Sequence, residues 1–223
     1  MHFEFTGLSL IGILVAVSAS IAVSELMGYL LHRLMHSERF PVLSRAHMIH
    51  HLYLYGPDQA MRAPEYKNAT NGRFSLGNVG MEWLLPSATI LALSWLFLWV
   101  FGVPPYYQLI VLSTLLAWPL FMFSYLHDRM YLENFWMERT PILNIWFKKA
   151  RRLHDVHHRS LSDEGRMNRN FGIGLFFFDR VFGTLAKRHC PLNWKGYGAA
   201  MSRHRLHSTT EDDFSDFPSS YRV

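Results

Sequence analysis

The sequence predicts an all-α integral membrane fold, with about three transmembrane helices and a cytoplasmic helical cap that gathers histidines into one site. Three observations predict it. Long apolar stretches occur at 7–31, 83–101 and 106–126, the first interrupted by a single charge, Glu25, and the others by none. All 22 Lys and Arg lie at Arg33 or later, and none falls in the short loop 102–105 between the second and third stretches. Nine of the 13 histidines stand in helix-spaced clusters or at the end of an apolar stretch.

Composition agrees with this class. Half of the residues are apolar and only 17% are charged, well below the roughly one quarter usual for soluble domains. A chain of 223 residues fits one domain. Residues 1–207 read as that single domain, and 208–223, acidic and rich in serine, as a poorly ordered tail. Cys190 is the only cysteine, which rules out an intrachain disulfide and any CxxC metal site. The net charge of +5 is not interleaved on a soluble module, so the expected acidic partner is a membrane surface and not a nucleic acid.

Each apolar stretch is close to the roughly 20 residues that a bilayer requires. The first reads as a span, since its leading segment lacks Lys and Arg and its apolar run is too long for a signal peptide. In the third, Pro119 predicts a kink, because proline removes a helical N–H. The distribution of Lys and Arg places 32–80 and everything after 126 in the cytoplasm, with the N-terminus and the "GVPP" loop opposite. Pro41 suits the first position of a short helix, and Thr140 followed by Pro141 predicts the start of another.

These elements carry the histidines to one side of the membrane. "HRLMH" holds His32 and His36, "HMIHH" holds His47, His50 and His51, "SYLHDRM" holds His127, and "HDVHH" holds His154, His157 and His158. Residues three and four apart share a helix face, so the members of each cluster are expected to point together. His2, His189, His204 and His207 show no such spacing. Imidazole is neutral near pH 7 and is the commonest metal ligand. Nine imidazoles are too many for one tetrahedral zinc and suit two metals of higher coordination number. Imidazole accepts Fe, Zn, Cu and Ni alike. Two irons in a nitrogen-rich site at a membrane surface point to oxygen activation against a lipid C–H bond.

This order of motifs, HxxxH, HxxHH, two spans closing on a lone histidine and a second HxxHH, resembles the fatty acid hydroxylase/sterol desaturase superfamily. So does "NRNFGIGLFFFDRVFGT" (168–184), with its Asn-aromatic-Gly segment followed by Asp-Arg-x-Phe-Gly-Thr. The resemblance covers residues 25–185. It implies an integral-membrane di-iron oxygenase, with His32, His36, His47, His50, His51, His127, His154, His157 and His158 as iron ligands. It also implies O2 as co-substrate and two Fe ions as cofactor, with zinc a possible substitute. Asn170 matches an asparagine expected to orient a ligand or water. Some members carry a further histidine near the one at 127, where this chain offers Asp128 and Tyr131.

His157, Asn170 and Glu25 are the residues expected to matter most to catalysis. Glu25 precedes His32 by two turns on the same face, and a carboxylate inside a span is a functional candidate by default. The other reading of Glu25 is a helix-packing hydrogen bond or a solvated side chain. Asp155 is open in the same way, between holding an imidazole N–H and pairing with Arg151 or Arg152. "LFFFDRVF" (175–182) reads as an interfacial anchor more readily than as a lipid entrance.

The expected activity is hydroxylation, or less readily desaturation, of a membrane lipid such as a fatty acyl chain, sterol, carotenoid or aminolipid. No GxGxxG fingerprint or haem-binding domain is evident, so the electrons are expected from a separate ferredoxin- or cytochrome-type partner. The expected location is an integral membrane position with a cytoplasmic active site, the bacterial inner membrane being favoured over the endoplasmic reticulum. Two other classes compete. A zinc-dependent membrane lipid hydrolase or amidase needs fewer histidines and a carboxylate base, for which Glu25 or Asp155 is available. A metal transporter places its histidines along the spans.

Overall fold

A serine hydroxyl starts the first helix. Ser9 accepts a hydrogen bond from the Gly12 N–H at 3.0 Å, satisfying a donor that the first turn leaves unpaired, and α1 runs over Leu10–Met35. The computed structural model describes residues 9–54, 81–188 and 190–205. The acidic tail expected at 208–223, and His2, His189 and His207, lie outside the described residues. Among the described residues the chain is helix and loop, with one isolated bridge between Leu161 and Met167.

Pro41 begins α2 (Pro41–Ile49), which continues into a π-helical turn over His50–Leu54. The second apolar stretch is helical as α3 (Met81–Val100). A turn at Gly102, with φ +63°, leads to α4 (Pro105–Pro119). The kink expected at Pro119 takes a specific form. The helix changes winding there, and Leu120–Leu126 is π-helical. Beyond it lie a helical turn at His127–Arg129, then α5 (Trp136–Arg139) and α6 (Pro141–Arg159). The last helices among the described residues are α7 (Phe177–Val181) and α8 (Trp194–Arg203). Thr140 stands at the cap position of α6 without capping it, since its hydroxyl donates instead to the Trp136 carbonyl at 3.1 Å.

Two helices, Leu10–Met35 and Pro105–Phe123, are long and apolar enough to cross a membrane, and Pro86–Val100 is a shorter apolar helix. α1 and α4 pack side by side and in the same direction. Ser9 meets the Tyr107 hydroxyl at 3.4 Å near their starts, and Glu25 accepts from Trp118 Nε1 at 2.8 Å further along. A side chain at Gly28 would overlap the Phe123 ring, so the two backbones approach closely there. This parallel pairing delivers the C-terminal ends of both helices, and hence His32, His36 and His127, to the same end of the molecule.

The core that positions them is apolar. Met122, Phe123, Leu126 and Met130 pack with Phe147, Ala150 and Leu153 of α6 and with Ile173 and Phe176 of the following loop. α6 buries this face and leaves Lys148, Lys149 and Arg152 exposed. At the other side, α8 closes over the π-helical turn, where the Tyr197 hydroxyl donates to the Leu52 carbonyl at 2.8 Å. Arg203 reaches Glu38, just beyond α1, at 3.0 Å.

Candidate metal centre

Imidazoles from separate stretches of chain meet where α1 and α4 end. His32 and His36 close α1, His47 lies on α2, His51 on the π-helical turn and His157 on α6. One ligand atom from each of these five lies within 4.8 Å of the others. His50, His127 and His158 form a second group by the same measure. His154 joins it, with Nε2 3.1 Å from His158 Nε2. The groups adjoin, because the His51 and His158 rings stack with centroids 4.0 Å apart. Thus all nine histidines singled out by spacing come together, and the unclustered His204 is in neither group.

The expectation that each HxxHH cluster points one way holds only in part. Consecutive residues on an α-helix are rotated by about 100°, whereas residues four apart nearly superpose. His47 and His51, four apart, therefore share the first group, and His50 turns to the second. In the other cluster His154 and His158 pair in the second group, and His157 turns to the first. Each motif supplies both groups.

Backbone carbonyls fix how the rings face. His32 Nδ1 lies 2.6 Å from the Phe171 carbonyl oxygen, and His157 Nδ1 lies 2.6 Å from that of Arg169. A carbonyl only accepts, so Nδ1 carries the proton and Nε2 turns its lone pair inward, the arrangement metal-ligating histidines adopt. His32 Nε2 is buried without a hydrogen-bond partner. Nε2 atoms crowd together at 3.1 Å between His36 and His157, His36 and His47, and His47 and His51. Burial first, and neighbouring imidazoles second, hold His36, His47, His51, His154 and His158 well below the ordinary imidazole value. Burial also holds His50 well below that value, and it takes His157 down to about 4 despite the Arg169 carbonyl. Converging imidazole lone pairs fit two metal cations, and among the described residues neither group draws in a carboxylate or a thiol.

The other expected site residues sit outside these groups. Glu25 is buried against Trp118, binding α1 to α4. Asn170 is fully buried with φ +52°, and its amide is engaged by backbone. Its Nδ2 donates to the Leu153 and Ala186 carbonyls, each at 2.8 Å, and its Oδ1 accepts from the Ala186 N–H at 2.7 Å. Asn170 thereby sets the loop whose neighbouring carbonyls, Arg169 and Phe171, hold the two histidines. Spacing alone missed two residues. Asp179 accepts from the Phe171 and Gly172 N–H groups, both at 2.7 Å, and from the Thr184 hydroxyl at 2.8 Å. Tyr131 places its hydroxyl among the histidines of the second group. Its position one turn after His127 was the available signal.

The sequence model of the family described as fatty acid hydroxylase matches residues 17–184, a range that contains every histidine of both groups. No curated protein and no solved structure matches the chain.

Proposed function

This chain belongs to the fatty acid hydroxylase family, and from that premise we propose that it is a membrane-bound di-iron oxygenase that hydroxylates a C–H bond of a membrane lipid. Desaturation of the same class of substrate is the lesser alternative. The observation that carries the reading is the inward convergence of neutral Nε2 atoms in two adjoining groups. His32, His36, His47, His51 and His157 hold one iron, and His50, His127, His154 and His158 the other. Bound iron supplies the activation of O2 that no side chain provides. The protein's own part is to hold the rings in one tautomer through the Arg169 and Phe171 carbonyls and to keep the centre dry. Two electrons come from a separate ferredoxin- or cytochrome-type donor.

Three spans and a cytoplasmic cap complete the proposal. Two parallel helices in succession require the chain to cross back between them, and α3 is the apolar helix available to do so. The absence of Lys and Arg before Arg33 supports an N-terminus outside and a cap, with its catalytic centre, in the cytoplasm, the bacterial inner membrane being favoured over the endoplasmic reticulum. A hydrolase needs a carboxylate base beside the metal. Glu25 is held by Trp118 instead, and among the described residues neither histidine group contains a carboxylate.

The test compares lipids from matched cells with and without the chain, in air and without O2, with an electron donor present. A lipid should gain about 16 Da, one oxygen atom, only in air. His157→Ala should abolish the gain and His204→Ala should leave it. A change that persists without O2, or that appears as loss of an acyl group, overturns the reading in favour of a hydrolase.

A further inference from the structure

Tyr131 is fully buried and lies beyond the nine histidines that the preceding reading assigns to metal. Its hydroxyl oxygen is 2.5 Å from His154 Nε2, 2.7 Å from His158 Nε2, 3.0 Å from His50 Nε2 and 3.2 Å from His127 Nε2. A phenol has one hydrogen to donate and two lone pairs to accept with. At most three of these four contacts are satisfied as hydrogen bonds at one time. Hydrogen bonding thus accounts for no more than three of these partners, whereas the hydroxyl stands where the ring nitrogens of the whole second group converge.

The two histidine groups are also unequal. The first has five ring nitrogens within 4.8 Å of one another, and the second has three, with His154 beside them. The second group is the one that the phenol enters. The placement is local as well as tertiary, since His127 and Tyr131 are separated by one helical turn and reach the same point.

We propose that the Tyr131 phenolic oxygen is a ligand of the second metal, which gives the two metals different coordination: one nitrogen-only, the other nitrogen plus one anionic oxygen. The inference rests on the two-metal reading above. On binding, the metal–oxygen bond forms, the O–H bond breaks and its proton leaves to solvent. Tyrosinate is an established iron ligand in other protein settings, and hard oxygen favours the ferric over the ferrous state more than imidazole does. The second iron is therefore the more easily oxidised of the pair, and the order in which the two irons take up electrons is set by this one side chain.

The experiment uses the full chain in detergent, loaded with ferrous iron and then oxidised with O2. Metal content, visible absorption and resonance Raman spectra are recorded on wild type, Tyr131→Phe and Tyr131→His. The wild type should bind two irons per chain and, once ferric, show a visible phenolate-to-iron charge-transfer band with enhanced tyrosinate ring vibrations. Tyr131→Phe should lose the band and the vibrations. Tyr131→His, which restores a nitrogen ligand and guards against a folding defect in the phenylalanine variant, should hold two irons without the band. Two irons per wild-type chain with no tyrosinate vibrations, or a band that survives both substitutions, overturns the ligand assignment and leaves the two-metal reading standing. One iron or none overturns both.

Discussion

At the scale of single residues, the centre depends on groups that never face it. The Phe171 and Arg169 carbonyls hold His32 and His157, and Asp179 holds the loop that carries them by accepting from Phe171, Gly172 and Thr184. Asp179→Asn turns an amide N–H toward donors that need an acceptor. Leaving buried donors unpaired costs on the order of 2–4 kcal/mol in total. Thermal unfolding in detergent should register that loss, and metal affinity should fall roughly 10–100-fold, as for other residues that orient ligands. An unchanged melting temperature with full metal content would remove Asp179 from this role. The nine histidines were legible because imidazoles at helical spacing have few other uses, and the segment containing Asp179 was legible as a motif. The role of Asp179 was not, because a carboxylate that ties backbone N–H groups together in a loop leaves no periodic trace. Tyr131 was legible only as one of two residues standing where some members of the superfamily carry a further histidine; that its oxygen lies among four imidazoles took the fold to show.

At the scale of elements, the histidines are only as well placed as the pairing of α1 with α4. Gly28 is the tightest point of that pairing, where a Cβ would overlap the Phe123 ring. Gly28→Val should overpack it at a cost of about 1–3 kcal/mol, and should also lower metal content, because the displaced end of α1 carries His32 and His36. Gly198→Ala in α8 is the matched control. A Cβ there meets nothing, and alanine is the better helix former by about 1 kcal/mol. Equal effects of the two substitutions on metal content would show that the pairing does not position the histidines. The apolar helices, the start of α2 at Pro41 and the break at Pro119 could all be read from hydropathy and proline. The π-helical windings at His50–Leu54 and Leu120–Leu126 could not. Such windings are frequent at functional sites. Here they adjoin His50, His51 and His127, so what selects them is where those rings must point.

At the scale of the whole molecule, so many buried neutral imidazoles make stability depend on pH. The unfolded chain takes up protons below the ordinary imidazole value of 6.5, whereas His157 in the fold does so only at about 4, and burial holds His36, His47, His50, His51, His154 and His158 well below 6.5. Between those values the unfolded state binds more protons, so the stability present above 6.5 is lost as pH falls. The melting temperature of the metal-free chain should decline steadily from pH 6.5 to 4, and a flat profile over that window would contradict the burial described here. The gathering of nine histidines at one end of the molecule was legible in the sequence, and so was the pairing of residues four apart within each HxxHH; which other histidines join each pair was not, since it depends on how separate helices are packed together. The interleaving of the two groups has a consequence for how the protein is made. The first group draws on His32 and His36 near the start of the chain and on His157 far along it, and the second is completed only by His154 and His158 from that same late helix. A ribosome delivers these residues in order, so through most of synthesis the early imidazoles are exposed with neither pocket closed. A cation that needs either complete set of ligands must therefore wait until α6 has been made, and a chain stalled before that helix presents only part of each group.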